Sequence, residues 1–167
     1  MSRLPGRMGT LTAHDIMTTH VIVVQESDTI EAAIRTLRSH HITGAPVVDG
    51  RGKFVGILSL ADLVAARGPG ADRNPEPLAQ GDGAAWELFD RARPLDESAG
   101  GAQVGSRMSR RVTSVTEDAP LVEIARVMCG GHWHRVPVVN SAGALCGIIS
   151  TMDVLAAIVN AADELNG

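Results

Sequence analysis

Aromatic residues are almost missing from this sequence. They make up 2% of it, namely Phe54, Trp86, Phe89 and Trp133, and there is no tyrosine. Stacking successive bases of a single strand needs several rings on one surface, so that kind of nucleic-acid binding is not expected. Lysine is rarer still. Lys53 stands alone, and a net charge of −4 provides no global attraction for a phosphate backbone. Cys129 and Cys146 form neither a CxxC pair nor a four-ligand zinc spacing, and the expectation is two buried, reduced thiols. No apolar run approaches the roughly 18 residues that a membrane span needs. Met1–Thr10 carries Arg3 and Arg7 with no apolar stretch behind them, so no signal peptide is expected and the reading is a cytoplasmic protein. A G-x-S-x-G elbow, a Walker loop, an HExxH helix and a Rossmann glycine run are all absent. Ser59 and Ser150 have no general base near them in sequence, so no catalysis is expected.

What the chain does have is ordinary bulk and an internal repeat. Its 167 residues, 44% apolar and 20% charged, suit one globular domain or two small repeats sharing a core. Folding at this size removes roughly 70% of the accessible surface, enough to form a core without staples. A shift of 91 positions lays residues 13–63 over 104–154 without a gap. Met17 falls on Met108, Pro46-Val47-Val48 on Pro137-Val138-Val139, Gly56-Ile57 on Gly147-Ile148, Ser59 on Ser150 and Asp62 on Asp153.

The elements repeat as well. Ile30, Ala33, Ile34 and Leu37 follow the i, i+3, i+4, i+7 spacing of an amphipathic helix, and Leu121, Ile124, Ala125 and Met128 fall at the same offsets. Asp28 with Glu31 reads as a capping box, and Pro120 suits a first helical turn. Strands are expected at Val21–Val24, Ala45–Val48 and Phe54–Leu58, and again at Val112–Val115, Val136–Val139 and Leu145–Ile149. Helices should follow at Leu60–Ala66 and Thr151–Leu165. The fold class is therefore α+β, with two pseudo-symmetric β-α-β-β-α repeats packed through their sheets. We place an arm at 1–11, the repeats at 12–66 and 104–165, and a linker or insert at 67–103. Within the insert, residues 68–84 are rich in Gly and Pro, and a short helix is expected around Trp86–Phe89, whose two rings share a face.

The repeat resembles the CBS domain, tandem copies of which form the Bateman module. The blocks that carry the likeness in the first copy are Asp15-Ile16-Met17-Thr18, Ala45-Pro46-Val47-Val48-Asp49 and Gly56-Ile57-Leu58-Ser59-Leu60-Ala61-Asp62. In the second copy they are Arg107-Met108-Ser109, His134-Arg135-Val136-Pro137-Val138-Val139 and Gly147-Ile148-Ile149-Ser150-Thr151-Met152-Asp153. The resemblance implies paired copies, assembly as a flat homodimer, an adenosine compound (AMP, ADP, ATP or S-adenosylmethionine) held in a cleft between copies, and relay of that state to an effector protein. No required cofactor is implied.

An adenosine phosphate needs an apolar slot for its base, a carboxylate for its ribose diol and cationic or amide donors for its phosphate. Ser150 and Thr151 open a helix whose free N–H groups favour an anion, Asp153 could reach the diol, and Arg135 could fork onto a phosphate. In family terms the other wall comes from Thr18, Val21, Ile22 and Ile42. The first copy offers Ser59 and Asp62, but Gly44 stands where the second copy has Arg135, and Trp133 stands where the first has Ile42. Trp133 would cover a base near Asp62 or fill the space. The competing reading makes both Ser-x-x-Asp segments plain capping boxes in a ligand-free interaction scaffold. His40, His41, His132 and His134 occupy related places, yet no carboxylate or thiolate joins them at ligand spacing, and no metal site is expected. Val154, Leu155, Ile158, Val159, Ala162 and Leu165 form an apolar stripe expected to face half inward and half toward a second copy.

Overall fold

The structure, a computed structural model, describes residues 9–64, 82–92 and 101–166. In chain order its elements are α1 (Ala13–Ile16), β1 (Val24–Gln25), α2 (Ile30–Ser39), β2 (Gly44–Val48), β3 (Phe54–Ser59), α3 (Leu60–Val64) and α4 (Asp82–Ala92). A 3-10 turn (Val104–Ser106) is followed by β4 (Val115–Thr116), α5 (Leu121–Gly131), β5 (Arg135–Val139), β6 (Leu145–Ser150) and α6 (Thr151–Asn166). They gather into two compact units. One holds the described residues from Ile22 to Val112, the other those up to Val21 together with those from Thr113 onward.

In the first unit β2 is central, parallel to β1 and antiparallel to β3. Leu37, Val24, Val47, Leu58, Leu60 and Val104 are fully buried between the sheet and its helices. Helix α4 docks on this core through Ala85 and Phe89, both buried, with Trp86 packed beside them. The Trp86 and Phe89 rings meet edge to face at 5.5 Å, so they do share a face. Arg38 lies over the indole at 4.6 Å and pairs with Asp90 at 2.6 Å, tying α2 to α4. The helix runs further than Trp86–Phe89 in both directions. Most of the Gly/Pro-rich stretch before it lies outside the described residues.

The second unit repeats the plan, with β5 between β4 and β6 and a core of Val115, Leu121, Ile124, Val136, Val138 and Ile149. Both sheets carry the same irregularity, between Val47 and Val48 and between Val138 and Val139. Each unit also takes in the segment that precedes the other repeat's first strand. Ser109 exchanges two backbone hydrogen bonds with Ile57 (2.9 and 3.0 Å), and Thr18 does the same with Ile148 (2.9 and 3.0 Å). The Thr29–Gln103 and Thr12–Pro120 bridges follow the same 91-residue symmetry.

This exchange corrects the expected first strands. Val21–Val24 and Val112–Val115 do not run as strands. Only Val24–Gln25 and Val115–Thr116 reach a parallel partner, because the residues just before them are crossing from one unit to the other. The cap of α2 also differs. Thr29 is the N-cap and accepts from the Ala32 N–H at 3.2 Å, while Asp28 accepts from the Gln25 N–H at 2.9 Å and closes the turn after β1. Pro120 stands at the N-cap of α5, one place before the helix starts.

Both middle helices end alike. His41 (φ 52°) and His132 (φ 54°) are left-handed, and the next N–H reaches back to a helix carbonyl: Ile42 to Leu37 at 3.0 Å, Trp133 to Met128 at 2.9 Å. This is a Schellman-type stop, and the apolar residue after the left-handed one packs onto its own core. Along α6, Val154, Ala157 and Ala161 are buried, whereas Leu155, Ile158, Val159 and also Met152 are exposed. The Leu165 side chain lies outside the described residues. Among the described residues no helix is long and apolar enough to cross a membrane.

Candidate functional site

The two strand-to-helix junctions are built the same way. In the second repeat Asp153 Oδ2 accepts from both the N–H and the hydroxyl of Ser150, at 2.7 and 2.6 Å. The Asp153 N–H in turn donates to Ser150 Oγ at 3.3 Å, which completes a capping box. In the first repeat Asp62 Oδ2 accepts from the Ser59 N–H and hydroxyl at 2.8 and 2.6 Å, and the Asp62 N–H donates to Ser59 Oγ at 3.4 Å. Capping is thus real in both copies. What separates them is the other carboxylate oxygen.

Asp62 Oδ1 accepts from the hydroxyl of Ser109 at 2.9 Å. Thr18 is the counterpart of Ser109, held by the same backbone pairing, but its hydroxyl makes no hydrogen bond to Asp153 among the described residues. Asp153 Oδ1 has no partner among those residues and is only half-buried. Arg135 pairs with Ser150 across the antiparallel ladder, which puts their side chains on one face of the sheet. The guanidinium is exposed and has no partner among the described residues. A free carboxylate oxygen and a free two-pronged cation therefore stand on one strand-to-helix junction, with exposed Thr18 at its edge.

The anion-binding amides are fewer than the sequence suggests. The Thr151 N–H is not free: it donates to the His134 carbonyl at 3.0 Å, and the Thr151 hydroxyl donates to the same oxygen at 3.2 Å. At the first-repeat junction Gly44 faces Ser59 in the equivalent register, so the strand supplies no cation there, and a Cβ on Gly44 would meet the Leu58 carbonyl at 3.0 Å. Val21 belongs to the unit that holds Asp153, while Ile22 and Ile42 belong to the other. Ile42 and Trp133 each pack on their own repeat's core, and the Trp133 indole lies directly over Gly131.

Other chemistry is sparse. Among the described residues no three His, Cys, Asp or Glu side chains gather to hold a metal ion. The two thiols are not both buried: Cys129 is exposed, and only Cys146 is partly enclosed, its Sγ donating to the Val138 carbonyl at 3.3 Å. Burial, followed by the nearby Glu117 charge, pushes the Cys146 thiol pKa up, so it stays protonated. Sequence reasoning missed Ser109. The signal lies in the repeat, where Ser109 falls on the candidate Thr18 in the 91-residue shift.

Comparison with known proteins agrees with this duplicated geometry. The family model for the CBS domain matches at residues 13–68 and again at 102–160. The chain belongs to the CBS-domain family, as a tandem pair. The chloroplastic CBS domain-containing protein CBSX1 of Arabidopsis thaliana is 31% identical over 154 residues, covering 90% of this chain. The match takes in 65% of CBSX1, so this CBS pair spans a little under two thirds of that relative. The crystal structure of CBSX2 from the same plant, in complex with AMP, superposes with a TM-score of 0.64 at 25% identity, covering 89% of this chain and 96% of that one. The cytosolic domain of the Mg2+ channel MgtE, in complex with ATP, gives a TM-score of 0.63 at 27% identity, covering 87% and 48%. The fold is that of a CBS pair, α+β with two three-stranded mixed sheets.

Proposed function

We propose that this CBS pair is a non-enzymatic regulatory module that binds an adenine nucleotide at the second-repeat junction. One observation carries the reading: among the described residues Asp153 keeps a carboxylate oxygen open on the same junction as an Arg135 without a partner. In this reading Asp153 Oδ1 accepts from the ribose diol and Arg135 forks onto the phosphate. Thr18, Ser150 and Thr151 add polar edges, and Val21 adds apolar surface. The AMP complex of CBSX2 and the ATP complex of the MgtE domain, both at 25% identity or above, support an adenosine ligand. Ligand binding favours one conformation of the pair over another, and the difference in affinity sets how far the population moves. The output passes to an effector protein through a cytoplasmic homodimer.

The alternative is a ligand-free interaction scaffold, favoured by the completed capping boxes at both junctions. Thermal melts of the full chain with AMP, ADP, ATP, S-adenosylmethionine or NAD distinguish the two. Ligand at 100-fold above its Kd should stabilise a sensor by about 2.7 kcal/mol. Asp153→Ala should abolish that gain. A chain that no adenosine compound stabilises is a scaffold.

A further inference from the structure

A cis-diol brings two O–H donors, and a carboxylate has four acceptor positions, two on each oxygen. At both junctions the Ser N–H and hydroxyl fill Oδ2. Among the described residues Asp153 Oδ1 therefore keeps both positions open, one for each hydroxyl of the diol. Asp62 Oδ1 has already given one to Ser109 at 2.9 Å. Two backbone hydrogen bonds to Ile57, with the adjacent Arg110 paired to Glu26 at 2.6 Å, keep the Ser109 main chain beside Asp62, so its hydroxyl stays within reach of that carboxylate. At the first junction Gly44 stands where Arg135 supplies a cation to the second.

We propose that each chain takes one nucleotide and that the duplicated carboxylates have diverged, Asp153 serving the ligand and Asp62 serving as a strut for Ser109. This deepens the nucleotide reading and rests on it. The strut keeps the segment before the second repeat fastened to the first-repeat sheet. Loss of Ser109 or Asp62 therefore weakens the fold without touching the ligand.

Calorimetric titration with AMP and thermal melts of the apo protein test both halves. The expected result is one AMP per chain for the wild type, no binding for Asp153→Ala, and a Kd within about twofold of wild type for Asp62→Ala. Because the two boxes are alike, Asp62→Ala should melt below Asp153→Ala by the amount that the Ser109 bond adds, about 3–6 °C. Ser109→Ala should lower Tm by a similar amount in the wild type and by nothing further in Asp62→Ala. Two AMP per chain, or half of the sites lost in Asp62→Ala, overturns the single-site proposal while leaving the nucleotide reading intact. Additive Tm losses for Ser109→Ala and Asp62→Ala overturn the strut. No heat with AMP, and no thermal shift with any adenosine compound, overturns the nucleotide reading and the single site with it.

Discussion

Gly56 lies directly beneath the Ser109 carbonyl: a Cβ on Gly56 would come within 2.5 Å of that oxygen. Its counterpart Gly147 faces the Met17 side chain instead, with Sδ at 2.5 Å. The two glycines occupy the same place in the repeat, where the crossing segment passes over the sheet. Their neighbours differ in kind, since the Ser109 carbonyl is backbone fixed by two hydrogen bonds to Ile57, and a methionine thioether can swing aside.

Substituting alanine at each glycine should therefore have unequal effects. Gly56→Ala must push the Ser109 backbone away and weaken its pairing with Ile57, an expected loss of about 2–3 kcal/mol. Gly147→Ala should need a new Met17 rotamer and a shift of a few tenths of an ångström at Met17 Cβ, which the added methyl would meet at 3.1 Å, at about 1 kcal/mol in all. Urea unfolding of the two variants measures the difference. Equal losses would mean that the crossing segment is not fixed at Ser109.

Much of this arrangement is legible in the sequence, and the parts that are not share a cause. The helices at Ile30 and Leu121 follow from period, and the hairpins follow from β-branched runs bounded by Gly52 and Gly143, both at φ 78°. The Ser-x-x-Asp boxes are visible as patterns. Which carboxylate oxygen remains open is not, because Ser109 lies 47 residues from Asp62 and their meeting depends on the exchange of segments between units. The same exchange shortened the first strands, since Val21 reads as part of a β-branched run but belongs to the other unit. Asp28 departs from the expected cap for a local reason. It and Thr29 are both good caps, and only the turn after β1 decides between them.

Acid should unsettle the first repeat's hairpin before the second's. Asp49 Oδ1 accepts from the Arg51 and Lys53 N–H groups, both at 2.9 Å, and these bonds, the Lys53 one foremost, hold its pKa below the ordinary 3.8. Asn140 makes the same turn with the Ala142 and Ala144 N–H groups at 3.0 Å and carries no proton to titrate. A folded pKa below the unfolded one gives stability that is present above 3.8 and lost as pH falls through the folded value. Asp49→Asn should remove that part of the acid sensitivity, because the amide oxygen keeps the turn at every pH. Urea midpoints of both proteins, followed from about pH 6 down through the ordinary carboxylate pKa, should converge at the acid end. Parallel curves would show that Asp49 contributes nothing.

The outward face of α6 should govern self-association. Met152, Leu155, Ile158 and Val159 are 69%, 49%, 40% and 56% exposed on one side of the helix, while Val154, Ala157 and Ala161 fill the core from the other. That much contiguous apolar surface on a single helix suits a partner helix of the same kind. A two-fold interface doubles any substitution, because the same residue enters from both copies. Leu155→Asp would place two carboxylates at the seam, each desolvated without a counter-charge. Association should weaken at least a hundredfold, about 2.7 kcal/mol, while the isolated chain keeps its fold because Leu155 is not part of the core. Sedimentation velocity over a concentration series reads the assembly, and circular dichroism reads the fold. A Leu155→Asp protein that sediments as the wild type does, with an unchanged spectrum, would exclude this face as the dimer seam.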